Sequence, residues 1–291
     1  MVFNILLALL VLLIAGLSFW ALIRYLVYRA FHFAQIHEKQ KPDSSIFQYQ
    51  ELLIPTENGK KIQLYDLNPT SNASVVVVAI HGWANTSEVF LPAAKELVKT
   101  CRLFLVNARN HGKSDKEKLM TILKFETDLS NALTYVLNQV NAPKQVIVLG
   151  HSLGAAAGIL TAADDKRVDG VVSISAFADV RRIMYGGFRQ NGIPPWLIKV
   201  VLKYIEWKIG RPFNEISPLY AIRRFYTPVL LIHGDKDELV PFDDMEKIKF
   251  TAKRHNVETF VAKGHGHSSL LKEPAVIKAI KSFLNKYFMN S

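Results

Sequence analysis

A G-x-S-x-G motif at residues 150–154, centred on Ser152, has the residue types that a serine nucleophile requires. An apolar run at 145–149 precedes the motif, and small residues at helical spacing follow it. Between a strand and a helix this motif is typical of a tight, strained turn that exposes the serine, with glycines where backbone segments nearly touch. The helix N-terminus there favours developing negative charge. We therefore predict Ser152 as the nucleophile, the alternative being a chance match in a loop.

A serine hydroxyl needs a base to take its proton, and the base needs an acid to orient it. In the strand–turn–helix setting the order along the chain is Ser, then Asp or Glu, then His. Asp237 and Asp235 lie in the loop after the apolar run 229–232. Asp237 is the first choice for the acid and Asp235 is the alternative. Either residue could instead cap the helix that begins near Phe242.

A glycine-rich loop at residues 264–267 supplies the histidine candidates before the last predicted helix. Its glycines would allow an imidazole to approach the serine, and His267 is preferred over His265. A His-x-His pair could also bind metal, but no further His and Asp cluster at ligand spacing accompanies it. We therefore expect neither a metal nor an organic cofactor.

An oxyanion hole requires backbone N–H groups where the carbonyl oxygen of a substrate becomes negative. Leu153, directly after the nucleophile, would supply one of these groups. The second would come from Trp83, in the loop after the run 75–80, where Gly82 allows a close approach. Four other histidines near strand ends are expected to order loops by hydrogen bonding: His81, His111, His151 and His233.

Repeated alternation of apolar strands and helices predicts the scaffold that holds these residues. The strand-like runs are 75–80, 103–106, 145–149, 168–173, 229–232 and 259–261; the helical patterns are 89–99, 125–140, 153–163, 243–254 and 274–288. Residues 49–67 read as two strands joined through Asn58-Gly59, a strong hairpin signal. Near-continuous apolar strands between helices indicate an α/β fold with a mostly parallel sheet covered on both faces.

The N-terminal residues 2–23 contain no charged side chain and are long enough, as a helix, to cross a hydrocarbon core of about 30 Å. We predict a transmembrane anchor at 1–23, a linker at 24–48 and a catalytic domain at 49–291. A cleaved signal peptide is the alternative, although a basic start and an Ala-x-Ala site are missing. The positive charges follow the span, and Cys101 is the single cysteine. Both observations favour a cytoplasmic catalytic domain.

Residues 178–218 interrupt the alternation and form a candidate cap insertion. Within it, 196–209 has amphipathic-helix spacing, with Lys199, Lys203 and Glu206 on the expected polar side. The apolar side would comprise Leu197, Val200, Val201, Tyr204 and Ile205. Seven basic residues accompany three acidic ones, so the insertion could cover the site or touch a lipid surface. An ordinary surface helix with solvated charges is the alternative.

The formal net charge of +11 suggests an anionic partner. No basic and aromatic nucleic-acid motif is evident, so we expect no nucleic-acid partner. The apolar N-terminus favours an anionic membrane surface instead. The sequence does not indicate an oligomeric state.

Over roughly residues 49–288 the chain resembles the α/β-hydrolase superfamily. The motifs that carry the resemblance occur in the family's order, at residues 81–83, 107–114, 150–154, 233–241 and 264–267. The monoglyceride-lipase and serine-aminopeptidase-like branch is the most similar. The resemblance selects Asp237, three residues after the glycine of His-Gly, and His267 in the Gly-x-Gly-His pattern. It also implies that the insertion serves as a cap. One departure is Asn107-Ala108-Arg109-Asn110-His111-Gly112, where the family often has Asp-x-Arg-Gly-His-Gly.

Together these features predict a membrane-anchored serine hydrolase that cleaves carboxylic esters through an acyl-enzyme. Its substrate would be amphiphilic, such as a monoacylglycerol or a lysophospholipid. The same superfamily also includes peptidases, thioesterases and acyltransferases. A hypothesis of another class is a non-catalytic, membrane-anchored binding protein on the same fold.

Overall fold

The computed structural model describes residues 1–71, 73–139, 145–252 and 256–289. Across these residues, eight strands form one sheet in the order β1-β2-β4-β3-β5-β6-β7-β8. The strands are β1 Tyr49–Pro55, β2 Lys61–Leu67, β3 Val75–Ile80, β4 Arg102–Asn107, β5 Gln145–His151, β6 Gly170–Ile174, β7 Val229–Gly234 and β8 Val257–Ala262. Strand β2 pairs antiparallel with β1 and with β4, whereas the remaining pairs are parallel. The predicted hairpin and the predicted mostly parallel sheet are both confirmed.

Helices cover both faces of the sheet. They are α1 Val2–Phe31, α2 Leu91–Leu97, α3 Ile122–Gln139, α4 Leu153–Asp164, α5 Val180–Gln190, α6 Pro195–Ile209, α7 Pro218–Ala221, α8 Asp243–Ala252 and α9 Pro274–Leu284. Helices α3, α4 and α8 contribute to the buried core on one face, and α2 and α9 contribute to the core on the other. The predicted ends of two helices, at residue 140 and at 253–254, lie outside the described residues. The fold class is confirmed.

Helix α1 is, among the described residues, the one helix that is long and apolar enough to cross a membrane, judged by length and composition. It continues to Phe31, so residues 24–31 of the predicted linker are helical. Ile23 and Val27 are buried in the domain's core, and Trp20 packs edge-on against Tyr204 of α6 at 5.0 Å. The helix continues because its apolar residues find a packing surface on the domain.

The rest of the predicted linker is also attached to the domain. Ile36 pairs as an isolated bridge with His111. The Glu38 carboxylate accepts hydrogen bonds from Tyr65 Oη at 2.6 Å and Asn107 Nδ2 at 2.8 Å. The predicted linker at 24–48 is therefore packed against the domain: residues 24–31 belong to α1, and residues 32–48 connect α1 to the sheet.

The candidate cap at 178–218 contains α5 and α6 and ends where α7 begins, at Pro218. Leu197 and Ile205 of α6 are buried as predicted. Glu206, expected on the polar side, is instead buried, where its Oε1 accepts hydrogen bonds from Arg181 Nη2 at 2.8 Å and Phe213 N at 2.9 Å. Val200, expected on the apolar side, is exposed. Glu206 is buried because Arg181 and Phe213 supply hydrogen-bond donors to its carboxylate. Val200 is exposed because the neighbouring described segments do not pack over it.

Candidate active site

The chain turns sharply at Ser152, between β5 and α4. Ser152 has φ 54° and ψ −118°, a strained conformation for a residue with a side chain. The turn leaves no room for side chains on either flank, because a Cβ on Gly150 would lie 2.4 Å from the Gly154 oxygen. A Cβ on Gly154 would lie 2.3 Å from the His81 oxygen. The motif therefore forms the tight strand–turn–helix geometry that its glycines predicted.

The acid and histidine candidates Asp237 and His267 are in direct contact. Asp237 Oδ2 lies 2.7 Å from His267 Nδ1, while Asp237 Oδ1 accepts hydrogen bonds from the N–H groups of Leu239 and Val240. Burial alone would raise the pKa of Asp237. Hydrogen bonds from His233, His267 and Val240 outweigh that effect and hold this pKa well below its ordinary value. The carboxylate therefore stays ionised beside the imidazole.

The alternative candidates have other partners. Asp235 Oδ1 accepts a hydrogen bond from Gly264 N at 2.6 Å, which joins the acid loop to the histidine loop. His265 Nε2 lies 3.2 Å from a Glu273 carboxylate oxygen, and its Nδ1 lies 3.2 Å from Ser269 Oγ. Of the two acids and two histidines, Asp237 and His267 are thus the pair in mutual contact.

A cavity of about 670 Å³ lies at the carboxyl ends of the strands, and we call it the reaction cavity. Ser152, Leu153, Trp83 and His267 are all among its lining residues. No hydrogen bond joins Ser152 to His267, both of which are described. Catalytic contacts of this kind are often long and shorten only when the substrate binds. The arrangement brings a hydroxyl, an imidazole and a buried carboxylate to one space.

The predicted oxyanion-hole residues flank the serine. Leu153 is the first residue of α4, so its N–H belongs to the helix end that has no acceptor within the helix. A Cβ on Gly82 would lie 2.8 Å from Ser152 Cβ, which shows how closely the loop after β3 approaches the nucleophile. The Trp83 ring packs against Phe33 with centroids 4.6 Å apart.

Two further histidines hold the site loops through hydrogen bonds to backbone carbonyls. The His151 Nε2 group lies 2.9 Å from the His267 oxygen, and the His233 Nε2 group lies 3.1 Å from the Val240 oxygen. Burial lowers the pKa of His151 to about 4, so this ring is neutral at physiological pH. These contacts match the loop-ordering role expected from the sequence.

The departure from the family motif at 107–112 has a structural basis. Asn110 has φ 66°, the left-handed region that a glycine would normally occupy and that asparagine tolerates better than other residues. Arg109 is fully buried and pairs with Asp128 at 2.9 Å and Glu57 at 2.6 Å. Asn107 donates to Glu38 where the family often has an aspartate. These contacts hold the loop at 107–112 in place, and the loop in turn supports the site.

Sequence reasoning missed one wall of the reaction cavity. Ala30 and Phe31, at the end of α1, line this cavity together with residues of α5. The available signal was weak, because Phe31 and Phe33 stand where the apolar N-terminal region passes into the mostly polar residues 32–48. The C-terminal end of α1 is therefore part of the site's surroundings.

Comparisons with known proteins agree with this architecture. The family profile described as "alpha/beta hydrolase fold" matches residues 75–191. The chain is 24% identical to the esterase YbfF of Escherichia coli over 252 residues, covering 75% of this chain and 95% of YbfF. It is 22% identical to the uncharacterized membrane protein YNL320W of Saccharomyces cerevisiae over 248 residues, covering 84% of this chain and 82% of that protein. The solved structure of the Pyrococcus furiosus esterase Pf2001 superposes with a TM-score of 0.71 at 21% identity, covering 88% of this chain and 99% of the esterase. These likenesses support a hydrolase with the α/β-hydrolase fold.

Proposed function

We propose that this protein is a membrane-anchored serine hydrolase that cleaves carboxylic esters of amphiphilic acyl compounds. The observation that carries the proposal is the Asp237–His267 hydrogen bond at the wall of a cavity that Ser152 also lines. A strained serine turn beside an imidazole held by a buried carboxylate is the arrangement that acyl transfer requires.

In the proposed reaction, His267 Nε2 takes the proton of Ser152 as the serine oxygen attacks the ester carbonyl. The N–H groups of Leu153 and Trp83 hold the resulting oxyanion. His267 then gives the proton to the leaving alcohol, and an acyl-enzyme on Ser152 remains. Water, deprotonated by His267, attacks the acyl-enzyme, which releases the carboxylic acid and restores the serine. Asp237 keeps the imidazole in the required tautomer throughout.

An amphiphilic substrate is supported by the chemistry around the site. The reaction cavity is lined largely by apolar side chains, including Phe31, Phe177, Ile183 and Met184. The adjoining helix α1 has the length and composition of a membrane span. A single-chain ester such as a monoacylglycerol or a lysophospholipid combines an apolar chain with a reactive ester, which matches both features.

Contact of the cap with a lipid surface is part of the proposal. Trp196 stacks on Phe19 of the anchor helix, with ring centroids 6.2 Å apart. Trp196 and Trp207 are 60% and 70% exposed, and with Lys203 they lie on one face of α6. Exposed tryptophan and lysine on one helix face are typical of a membrane interface. The basic residues after the span favour a catalytic domain on the cytoplasmic side, which protease protection of sealed cells would test.

The experiment is labelling with a fluorophosphonate probe in a membrane preparation, comparing the wild type with Ser152→Ala. The wild type should be labelled, whereas the folded variant should be neither labelled nor active on esters. Labelling of both proteins would mean that another serine reacts. A folded wild type with neither labelling nor turnover would favour the non-catalytic binding protein. Preference for aminoacyl arylamides or thioesters over oxygen esters would favour a peptidase or a thioesterase, and transfer of the acyl group to an alcohol rather than to water would favour an acyltransferase.

A further inference from the structure

A second cavity lies between the anchor helix α1 and the cap helix α5. Its volume is about 390 Å³, and we call it the outer cleft. Apolar side chains form most of its wall, namely Leu26, Ala30, Met184, Phe188 and Ile193. Tyr25, Arg29 and Asn191 are the polar side chains that line it. The size and the lining suit a single apolar chain with a polar group near one end.

The outer cleft adjoins the reaction cavity. The two cavities share three lining residues, Ala30, Met184 and Gly187. Gly187 has no side chain, and apart from the adjacent backbone of its own helix nothing lies within 4 Å of the place where a Cβ would stand. A small residue from α1 and a glycine from α5 thus face the junction, where larger side chains would close it.

The outer cleft begins where α1 would leave the bilayer. Residues 2–23 of α1 span about 33 Å as a helix, which is close to the thickness of a hydrocarbon core. Trp20 would therefore lie near the interface, and Tyr25 and Arg29 would lie about 3 Å and about 9 Å beyond the end of this span. The Arg29 side chain donates to Tyr25 Oη at 3.3 Å, so a cation and a phenol stand together at headgroup level.

We propose that the outer cleft is the passage by which the acyl chain of a membrane ester leaves the bilayer and reaches Ser152. The inference rests on the proposed ester hydrolysis. The occupant is one acyl chain of a single-chain ester amphiphile that is dissolved in the same bilayer as α1. Its ester group passes the junction at Gly187, and its acyl chain lies in the outer cleft against the apolar side chains of α1 and α5.

Small soluble esters have another entrance. The reaction cavity is also lined by Glu238 and Leu239, both of which are exposed on the loop that follows the Asp237 carboxylate. A short ester can therefore enter from water without using the outer cleft. Because only the membrane ester would use the outer cleft, a comparison of the two kinds of substrate tests the passage separately from ester hydrolysis.

The test uses the full chain in phosphatidylcholine vesicles with two substrates, p-nitrophenyl butyrate in water and 1-oleoyl glycerol in the bilayer. The readout is the ratio of kcat/KM for the oleoyl ester to kcat/KM for the butyrate. Gly187→Leu should lower this ratio by about tenfold or more, since loss of contact with two buried methylenes is sufficient for that factor. Gly187→Ala, the matched control, should keep the ratio within about twofold because its methyl group enters open space. Ala30→Phe should act like Gly187→Leu from the opposite wall.

The outcomes separate the two proposals. A lower ratio in both bulky variants, with the alanine control unchanged, supports the passage. An unchanged ratio in the bulky variants, or an equal loss on both substrates, overturns the passage while the proposed ester hydrolysis stands. A wild type that hydrolyses neither substrate overturns the proposed function and this inference together.

Discussion

Replacement of Asp237 by asparagine would test the proposed triad most directly. Asp237 Oδ1 accepts hydrogen bonds from two backbone N–H groups, those of Leu239 at 3.0 Å and Val240 at 2.9 Å. In Asp237→Asn the amide oxygen must keep this place, because the amide NH2 group cannot accept from two donors. The NH2 group then faces His267 Nδ1, where Oδ2 now lies at 2.7 Å.

The consequence is a change of tautomer. Because the amide would donate to His267 Nδ1, the imidazole would carry its proton on Nε2 and could not take a proton from Ser152. In the serine triad a change of this kind lowers kcat by about 10⁴, or about 5 kcal/mol in activation free energy. We expect a similar loss here, while the shape of the side chain and hence the fold are retained.

The assay is kcat and kcat/KM on p-nitrophenyl butyrate, with the thermal unfolding midpoint as a check of folding. Asp235→Asn is the matched control, because its amide oxygen can still accept from Gly264 N. This control should lose no more than about threefold, since the bond it keeps is structural. If Asp237→Asn retained more than a tenth of the wild-type kcat, or if the two variants lost activity equally, the assignment of Asp237 would be refuted.

Three further predictions follow from buried groups. Burial lowers the pKa of His111 and of His151 from 6.5 to about 4, so the unfolded chain binds more protons between these values. Stability should therefore fall as the pH drops from 6.5 to 4, by about 3 kcal/mol for each ring, as measured by thermal unfolding; a flat profile would contradict this. Gly154→Ala should destabilise by about 2 kcal/mol or more because its Cβ meets backbone, whereas Gly186→Ala should not, since its Cβ meets nothing within 4 Å; equal unfolding midpoints would contradict the close packing. Deletion of residues 2–48 should destabilise the domain more than deletion of 2–22, and equal midpoints would mean that 23–48 is a passive linker.

Much of the scaffold could be predicted because strands that are buried on both faces have nearly continuous apolar sequences. The runs at 75–80 and 145–149 correspond closely to β3 and β5. The serine turn was equally readable, because its glycines occupy places where any Cβ would collide with backbone. The choice of Asp237 over Asp235 was different. Both acids stand in one loop, and the contacts that separate them come from His267 and Gly264, about thirty residues later.

The linker and the cap were harder because their partners are distant in sequence. Glu38 looks like a solvated acid, yet its carboxylate accepts from Tyr65 and Asn107, which belong to the sheet. Helical spacing placed Glu206 with two lysines, but Arg181 and the Phe213 N–H hold it in the interior. Local periodicity reports which face of an element is apolar. It does not report which neighbouring segment will supply a donor to a buried carboxylate.

The role of α1 shows why this limit matters for function. A tether only needs to hold a domain near a membrane, and its sequence beyond the span could then be arbitrary. Here Val27 is buried in the core, Phe31 lines the reaction cavity, and Glu38 joins the chain to the sheet behind the site. Each contact fixes α1 relative to Ser152. Under the proposed membrane anchoring, the distance from the bilayer to the nucleophile is therefore set by packing and not by a flexible chain. A rigid connection of this kind is what delivery of a membrane ester through a short passage would need, because a mobile tether would not keep one wall of the passage in place.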